Sequence, residues 1–197
     1  MKRVYLIITL LLLTGCSKTL SPITAYTIDP SMHESKYSSV CKGKTLRVGK
    51  VFTSQNLMLK QMKYASNDYK QFSYTESKWA NIPSKAISRA LLRSIRDAKI
   101  FDSVSSYRSH TRDDLLLETN VYNFMQYYSE KEKKSYVDVT FSLSLVDTQK
   151  AKTLHSVVIK REVESKTLDA EGGVIALNEA LESVLEETNR WLSESCK

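Results

Sequence analysis

The sequence predicts one α+β domain, in which a mainly antiparallel, mixed sheet of about five to seven strands carries two amphipathic helices on one face. Two hydrophobic periods predict it. From Tyr136 to Leu145 the chain alternates strictly: Val137, Val139, Phe141, Leu143 and Leu145 point one way, and Tyr136, Asp138, Thr140, Ser142 and Ser144 the other. That is the period of a strand with one buried and one wetter face. Elsewhere the period lengthens. Ile87, Leu91 and Ile95 recur every fourth residue, and Val174, Leu177, Leu181, Val184 and Leu185 follow in steps of three and four. Each series marks a helix with one apolar stripe turned to a core. The chain shows neither an internal repeat nor a low-complexity segment.

The elements follow in order. Residues 17–22 read as a short tether, and "AYTIDP" as an extended segment ended by Pro30. Ser31 to Ser39 is polar enough to be a loop. "TLRVGKVFT", from Thr45, alternates and is rich in β formers; "QFSYTESKW", Gln71 to Trp79, is the next strand. Pro83 is suited to the first turn of a helix, and Ala86, Ala90 and Ala98 accompany its apolar stripe. "IFDSV" gives a short strand over Phe101 to Ser106. "LLLETNVYNFMQYY" is a long strand whose pattern slips near Thr119, the mark of a bulge. With the alternating strand and "TLHSVVIKREVES" it should form an antiparallel meander, the mixed-sign run Glu130 to Lys134 being a solvated turn. Asp169 or a neighbour caps the last helix, which runs to about Ser193. Gly172-Gly173 at its start reads as a flexible lead-in.

The N-terminus decides where the domain works. Val4 to Leu13 offers ten largely apolar positions, against the roughly 20 needed to cross a bilayer. Lys2 and Arg3 precede the run and small residues follow it, which is the anatomy of a secretory signal. Leu13-Thr14-Gly15-Cys16 resembles the bacterial lipobox, so residues 1–15 are expected to be a signal peptide and Cys16 the lipidated first residue of the mature chain. Residues 16–23 would be a lipidated tether and 24–197 the folded domain. One acyl chain anchors only marginally, at about 0.8 kcal/mol per buried methylene; the two or three chains of this class, palmitate among them, hold a protein in the membrane. Ser17, rather than an aspartate, follows the cysteine, which by the same resemblance favours the outer membrane with the domain facing the periplasm.

Without Lys2 and Arg3 there remain 27 basic and 22 acidic residues. The charges are scattered and the chain is exported, so nucleic acid is not an expected partner. Cys41 and Cys196 remain once Cys16 carries lipid, an even number in an oxidising space. A disulfide between them and two separate thiols both fit the sequence. His33, His110 and His155 stand in no metal-ligand spacing, and neither a phosphate loop nor a G-x-S-x-G elbow occurs. The reading is of a non-enzyme without metal or cofactor. Eleven tyrosines give the chain its aromatic weight; Tyr122, Phe124, Tyr127 and Tyr128 gather at one end of the long strand, suited to cross-strand packing or to a contact surface.

These residues carry a resemblance. The lipobox followed by Tyr26-x-Ile28-x-Pro30 resembles the "Y-x-L-x-P" opening of the ABC-type transport auxiliary lipoproteins, with isoleucine in the leucine position. "YTESKWANIPSKAISRALL", with Tyr74, Trp79, Pro83 and Leu91, resembles their central motif of a tyrosine strand, W-A-x-x-P and an amphipathic helix. Phe101 and Val104 match the short F-x-x-V strand, and Ala176, Ala180, Leu181 and Trp191-Leu192 the closing helix. Cys41 and Cys196 are not part of that pattern. The family includes the lipoprotein of the paraquat-inducible membrane-transport system. The resemblance implies an auxiliary subunit of an ABC permease and ATPase working with a mammalian-cell-entry (MCE) domain protein, in traffic of lipids or other hydrophobic compounds across the envelope. It implies self-association as well, and makes Tyr26, Ile28, Pro30, Tyr74 and Trp79 candidate partner contacts. Two other readings fit the same residues: a module that itself binds a lipid or small hydrophobic ligand, and a purely structural envelope lipoprotein.

Overall fold

The strict alternation from Tyr136 to Leu145 becomes the central strand of an antiparallel meander. In the computed structural model, which describes residues 21–31, 37, 41–66, 69–129, 131 and 133–195, that strand is β7 (Lys134–Asp147). Around it the chain runs β1 (Thr24–Tyr26), β2 (Cys41–Thr53), a 3-10 turn (Gln55–Met58), β3 (Gln61–Ser66), β4 (Lys70–Trp79), α1 (Pro83–Asp97), β5 (Phe101–Ser106) and β6 (Leu115–Ser129). After β7 come β8 (Lys152–Glu164) and α2 (Ala170–Glu194).

All eight strands join one open mixed sheet. β7 lies between β6 and β8, antiparallel to both. On its other edge β6 divides its length: Leu115 to Val121 pairs in parallel with β2, and Gln126 to Tyr128 in parallel with β3. One branch continues from β2 to a parallel β5. The other continues from β3 to an antiparallel β4, with β1 as a parallel edge strand.

The helices follow from the pattern that predicts them. Val137, Val139, Phe141, Leu143 and Leu145 are all fully buried, and α2 packs on β7 and β8 above them. α1 buries Ala86, Ile87, Ala90, Leu91 and Ile95 and packs on β5 and β2. Both helices lie on the same side of the sheet and touch each other there; Asn189 of α2 donates to the Ser94 hydroxyl of α1 at 2.9 Å. On the opposite side β7 turns Tyr136 and Ser142, and β8 turns Val158, to solvent.

The class and the meander agree with expectation, but three details differ. The sheet has eight strands rather than five to seven, because "QMKYAS" pairs as β3. A register shift between Gln61 and Lys63 removes the alternation that would have marked it. β2 begins at Cys41, four residues before Thr45. The extra residue in β6 falls between Val121 and Asn123, just past Thr119, while the slip at Leu117 to Thr119 is a register shift against β2 with the extra residue on β2. Thr119 keeps its place on the buried face, its hydroxyl without a partner.

Gly172 and Gly173 are also not a flexible lead-in. A Cβ on Gly172 would stand 2.6 Å from the Thr167 carbonyl oxygen, and one on Gly173 1.9 Å from Gln126 Oε1. α2 can start this close to the Thr167 loop and to Gln126 of the sheet only where positions 172 and 173 lack a Cβ. Asp169 supplies the cap predicted for it, its carboxylate accepting from the Gly172 amide at 2.8 Å.

Candidate ligand groove

The first half of α1 has an edge that does not reach the core. Ser84, Lys85, Ser88, Arg89 and Leu92 alternate there around the buried stripe and form one wall of a groove. β2 provides the floor at Val48 and Val51. Between these two residues the pairing with β6 shifts register, and Gly49 lets the strands close: a Cβ there would meet the Leu117 carbonyl oxygen at 2.8 Å. Met58 from the 3-10 turn and Ser106 to Arg108, at the end of β5, complete the far wall. The cavity is about 490 Å³, within the range of about 300–1,000 Å³ usual for small-molecule sites.

Its chemistry is two-sided. Val48, Val51, Ile82 and Leu92, with Met58 half exposed at 50%, give apolar walls. Lys50, Lys85, Arg89 and Arg108 stand at its margin, and no aspartate or glutamate lines it among the described residues. None of the four cations forms an ion pair among the described residues. Arg108 lies over the Tyr107 ring, 5.5 Å from its centroid, and donates to its hydroxyl at 3.1 Å. Elsewhere several basic groups are matched. Arg47 donates to the buried Asp113 at 3.0 Å, and Arg161 and Arg190 both reach Glu187. α1 itself has no acid in its first turn and no side-chain cap at Ile82. The groove therefore holds positive charge beside apolar surface with nothing of its own to neutralise it.

The residues named as candidate contacts are mostly elsewhere. Ile28, Pro30 and Trp79 are buried, and Trp79 packs on Phe124 with ring centroids 6.3 Å apart. Tyr26 is half-buried in the edge strand, where its carbonyl accepts from Ala80 at 2.7 Å, and Asp29 donates its amide to Asn178 of α2 at 2.8 Å. Tyr74 is half-buried, 4.7 Å from the Tyr64 ring, and donates to Gln126 Oε1 at 2.8 Å. Burial, with the Tyr128 hydroxyl beside it, pushes the Tyr74 hydroxyl far above the ordinary tyrosine range. The Tyr-x-Ile-x-Pro segment thus ties the N-terminal strand to α2 and to the junction of β4 with α1, with Ile28, Pro30 and Trp79 buried in that packing.

Cys16 and Cys196 lie outside the described residues. Cys41 is disulfide-bonded. His110 and His155 are exposed, His33 lies outside the described residues, and no cluster of His, Cys, Asp and Glu able to hold a metal occurs among the described residues. No described helix is long and apolar enough to cross a membrane. The groove is the feature that the sequence reading did not find. A signal existed: α1 carries Lys85, Arg89, Arg93 and Arg96 before its single acid, Asp97. Lys50 and Arg108 join them only through the parallel pairing of β2 with β5.

A mixed open sheet with both helices on one side defines a class of α+β domain that also occurs in solved structures. XCC0632 from Xanthomonas campestris superposes with a TM-score of 0.76 at 16% identity, over 87% of this chain and 96% of that one. A second, uncharacterised protein gives 0.68 at 12% identity, over 87% and 99%. At these identities the likeness is one of fold. No curated protein matches the sequence. The family model of the ABC-type transport auxiliary lipoprotein component matches residues 26–188, and the chain belongs to that family. It is therefore an auxiliary lipoprotein of ABC-type transport, associated with the cell envelope.

Proposed function

We propose that this protein is a non-catalytic, periplasm-facing lipoprotein that joins an ABC permease and ATPase to an MCE-domain protein in moving lipids or other hydrophobic compounds across the envelope. Cys16 carries the acyl chains, residues 1–15 are removed as the signal peptide, and residues 16–23 tether the domain to the outer membrane. The supporting observation is the side of the sheet that no described helix covers. Phe52 and Val158 stand there 60% and 61% exposed, and Tyr127 and Tyr136 stack 5.4 Å apart. Exposed apolar and aromatic side chains on a rigid sheet suit a protein contact, to the MCE protein or to further copies of this chain.

Affinity purification of the full-length protein from detergent-solubilised membranes tests the reading. An MCE-domain protein should co-purify, and Phe52→Glu with Val158→Glu should remove it without lowering the amount of lipoprotein. Recovery with no MCE protein, permease or ATPase would overturn the proposal. The anchor has its own readout: incorporated palmitate should disappear in Cys16→Ser, and a native mass beginning at Met1 would exclude it.

A further inference from the structure

We propose that the groove between α1 and β2 is a binding site for an anionic lipid, with an acyl chain along the apolar walls and the charged head held by Lys50, Lys85, Arg89 and Arg108. Three features of the site select this ligand. The first is the cavity of about 490 Å³ with Val48, Val51, Ile82 and Leu92 in its lining. Water in contact with such walls is displaced favourably by hydrocarbon, at roughly 25 cal/mol per Å² of apolar area. The second is sign. Four cations line the groove with no acid among its described residues, so a neutral or cationic amphiphile would leave their charge uncompensated, while a phosphate or carboxylate neutralises it. The third is the array of short-range donors: Ser84, Ser88 and Ser106 line the same space and can complete the hydrogen bonding of an oxyanion.

A purely apolar cargo would use the walls alone, and a free anion would use the cations alone. Only a molecule with both parts uses the whole groove. The assignment rests on the proposed role in lipid traffic for the origin of the ligand, and on the groove alone for its chemistry.

Photo-cross-linking in growing cells tests it with the intact chain. The photo-reactive amino acid benzoylphenylalanine is placed at Met58, inside the groove, or at Val158, on the helix-free side of the sheet. Cells are labelled with radioactive phosphate, or in parallel with radioactive acetate. After irradiation the purified lipoprotein is digested and the acylated Cys16 peptide set aside; the peptide containing position 58 should carry label, and the peptide containing position 158 should not. Label from both isotopes marks a phosphorus-containing lipid and label from acetate alone one without phosphate, and mass spectrometry of the labelled peptide identifies the species. An acidic phospholipid or a fatty carboxylate supports the site, and a lipid without net negative charge overturns the assignment. Lys85→Glu with Arg89→Glu, exposed changes that leave the core intact, should lower adduct yield about ten-fold, equivalent to about 1.4 kcal/mol. Equal labelling at both positions, no adduct at Met58, or an adduct indifferent to the charge reversal would each overturn the assignment. An adduct at Met58 in a protein that captures no MCE partner would leave the groove standing and remove the docking role. Capture of the partner without an adduct would do the reverse.

Discussion

Gln126 and Gly173 make a prediction in which the sign of a mutational effect depends on the background. Gln126 is buried in β6 and donates from Nε2 to Ser135 Oγ at 2.7 Å, to the Asp169 carbonyl at 3.1 Å and to Tyr128 Oη at 3.2 Å. Its Oε1 accepts from Tyr74 at 2.8 Å. One side chain thereby links β4, β6, β7 and the start of α2. In Gly173→Ala the new methyl would stand 1.9 Å from Oε1, so the amide must move and its bonds must lengthen. Overpacking of this kind costs about 1–3 kcal/mol, against which alanine in place of glycine in a helix returns up to about 1 kcal/mol. The net expectation is a loss of about 1–2 kcal/mol, which for a domain of this size lowers Tm by about 2–8 °C. Gln126→Ala alone should lose more, about 3 kcal/mol, from several net hydrogen bonds of about 1 kcal/mol each. Once Gln126 is shortened, the obstacle to Gly173→Ala is gone and only the helix-forming gain remains. The second substitution should then stabilise by up to about 1 kcal/mol. Urea unfolding of the four proteins, followed by circular dichroism, reads the cycle. If Gly173→Ala destabilises equally in both backgrounds, the clash is not the reason for the glycine.

Two further outcomes follow from named groups. The carboxyls of Asp114, Asp147 and Asp169 are all held below the ordinary aspartate value, by hydrogen bonds first from Thr45, Lys150 and Gly172 respectively. A lowered folded-state value means the folded chain binds fewer protons than the unfolded one, so their contribution is present above about pH 4 and is lost as pH falls below it. Melting temperature measured from pH 7 to pH 2 should hold down to that point and then drop. Asp169→Ala should flatten the drop while costing about 1 kcal/mol at neutral pH through the lost helix cap; an unchanged acid limb would refute the assignment for Asp169. For the disulfide of Cys41, we propose Cys196 as the partner, since Asn189 near the end of α2 bonds Ser94 in the last turn of α1, and the Cys41 amide donates to the Ile100 carbonyl just beyond α1 at 3.2 Å. Peptide mapping without reductant should recover the two cysteines linked. Reduction should lower stability by up to about 5 kcal/mol, the chain-entropy limit for so long a loop. A peptide joining Cys41 to Cys16 would rule out both this pairing and the lipid anchor.

Periodic burial was readable from the sequence, and long-range parallel pairing was not. Strict alternation in β7 and the three-and-four spacing of α1 and α2 each report a local geometry, so each places itself correctly. The parallel contacts of β2 with β5 and β6 join segments dozens of residues apart, and nothing within β2 names its neighbours. The aromatic group shows the same limit. Tyr122, Phe124, Tyr127 and Tyr128 are adjacent in sequence, yet the sheet separates them. Phe124 packs against Trp79 in the core, Tyr128 turns to Tyr64 and Tyr74 on the helix side, and Tyr127 stacks on Tyr136 on the other. Tyr122 is carried out to solvent at the bulge. Trp79 and Pro83, quoted as a motif, proved to be a packed hinge from β4 into α1. The groove beside that hinge leaves no complete local signature because its charge is assembled from three separate segments.

The two faces of the sheet bear on how the proposed tasks coexist. The groove opens on the helix side, where Val48 and Val51 meet α1. Phe52, the very next residue of β2, points to the other side. A partner seated over Phe52 and Val158 would thus leave the groove unobstructed, while sharing with it the backbone of one strand. Because the two surfaces lie on opposite sides of the sheet, docking and ligand capture should be separable by mutation. Charge reversal at Lys85 and Arg89 should spare partner capture, and Phe52→Glu with Val158→Glu should spare the lipid adduct. Loss of the lipid adduct from Phe52→Glu with Val158→Glu would mean that the ligand arrives only through the docked partner, and the groove would then be a downstream acceptor rather than an independent site. Loss of partner capture from the charge reversal would instead place the groove within the docking surface.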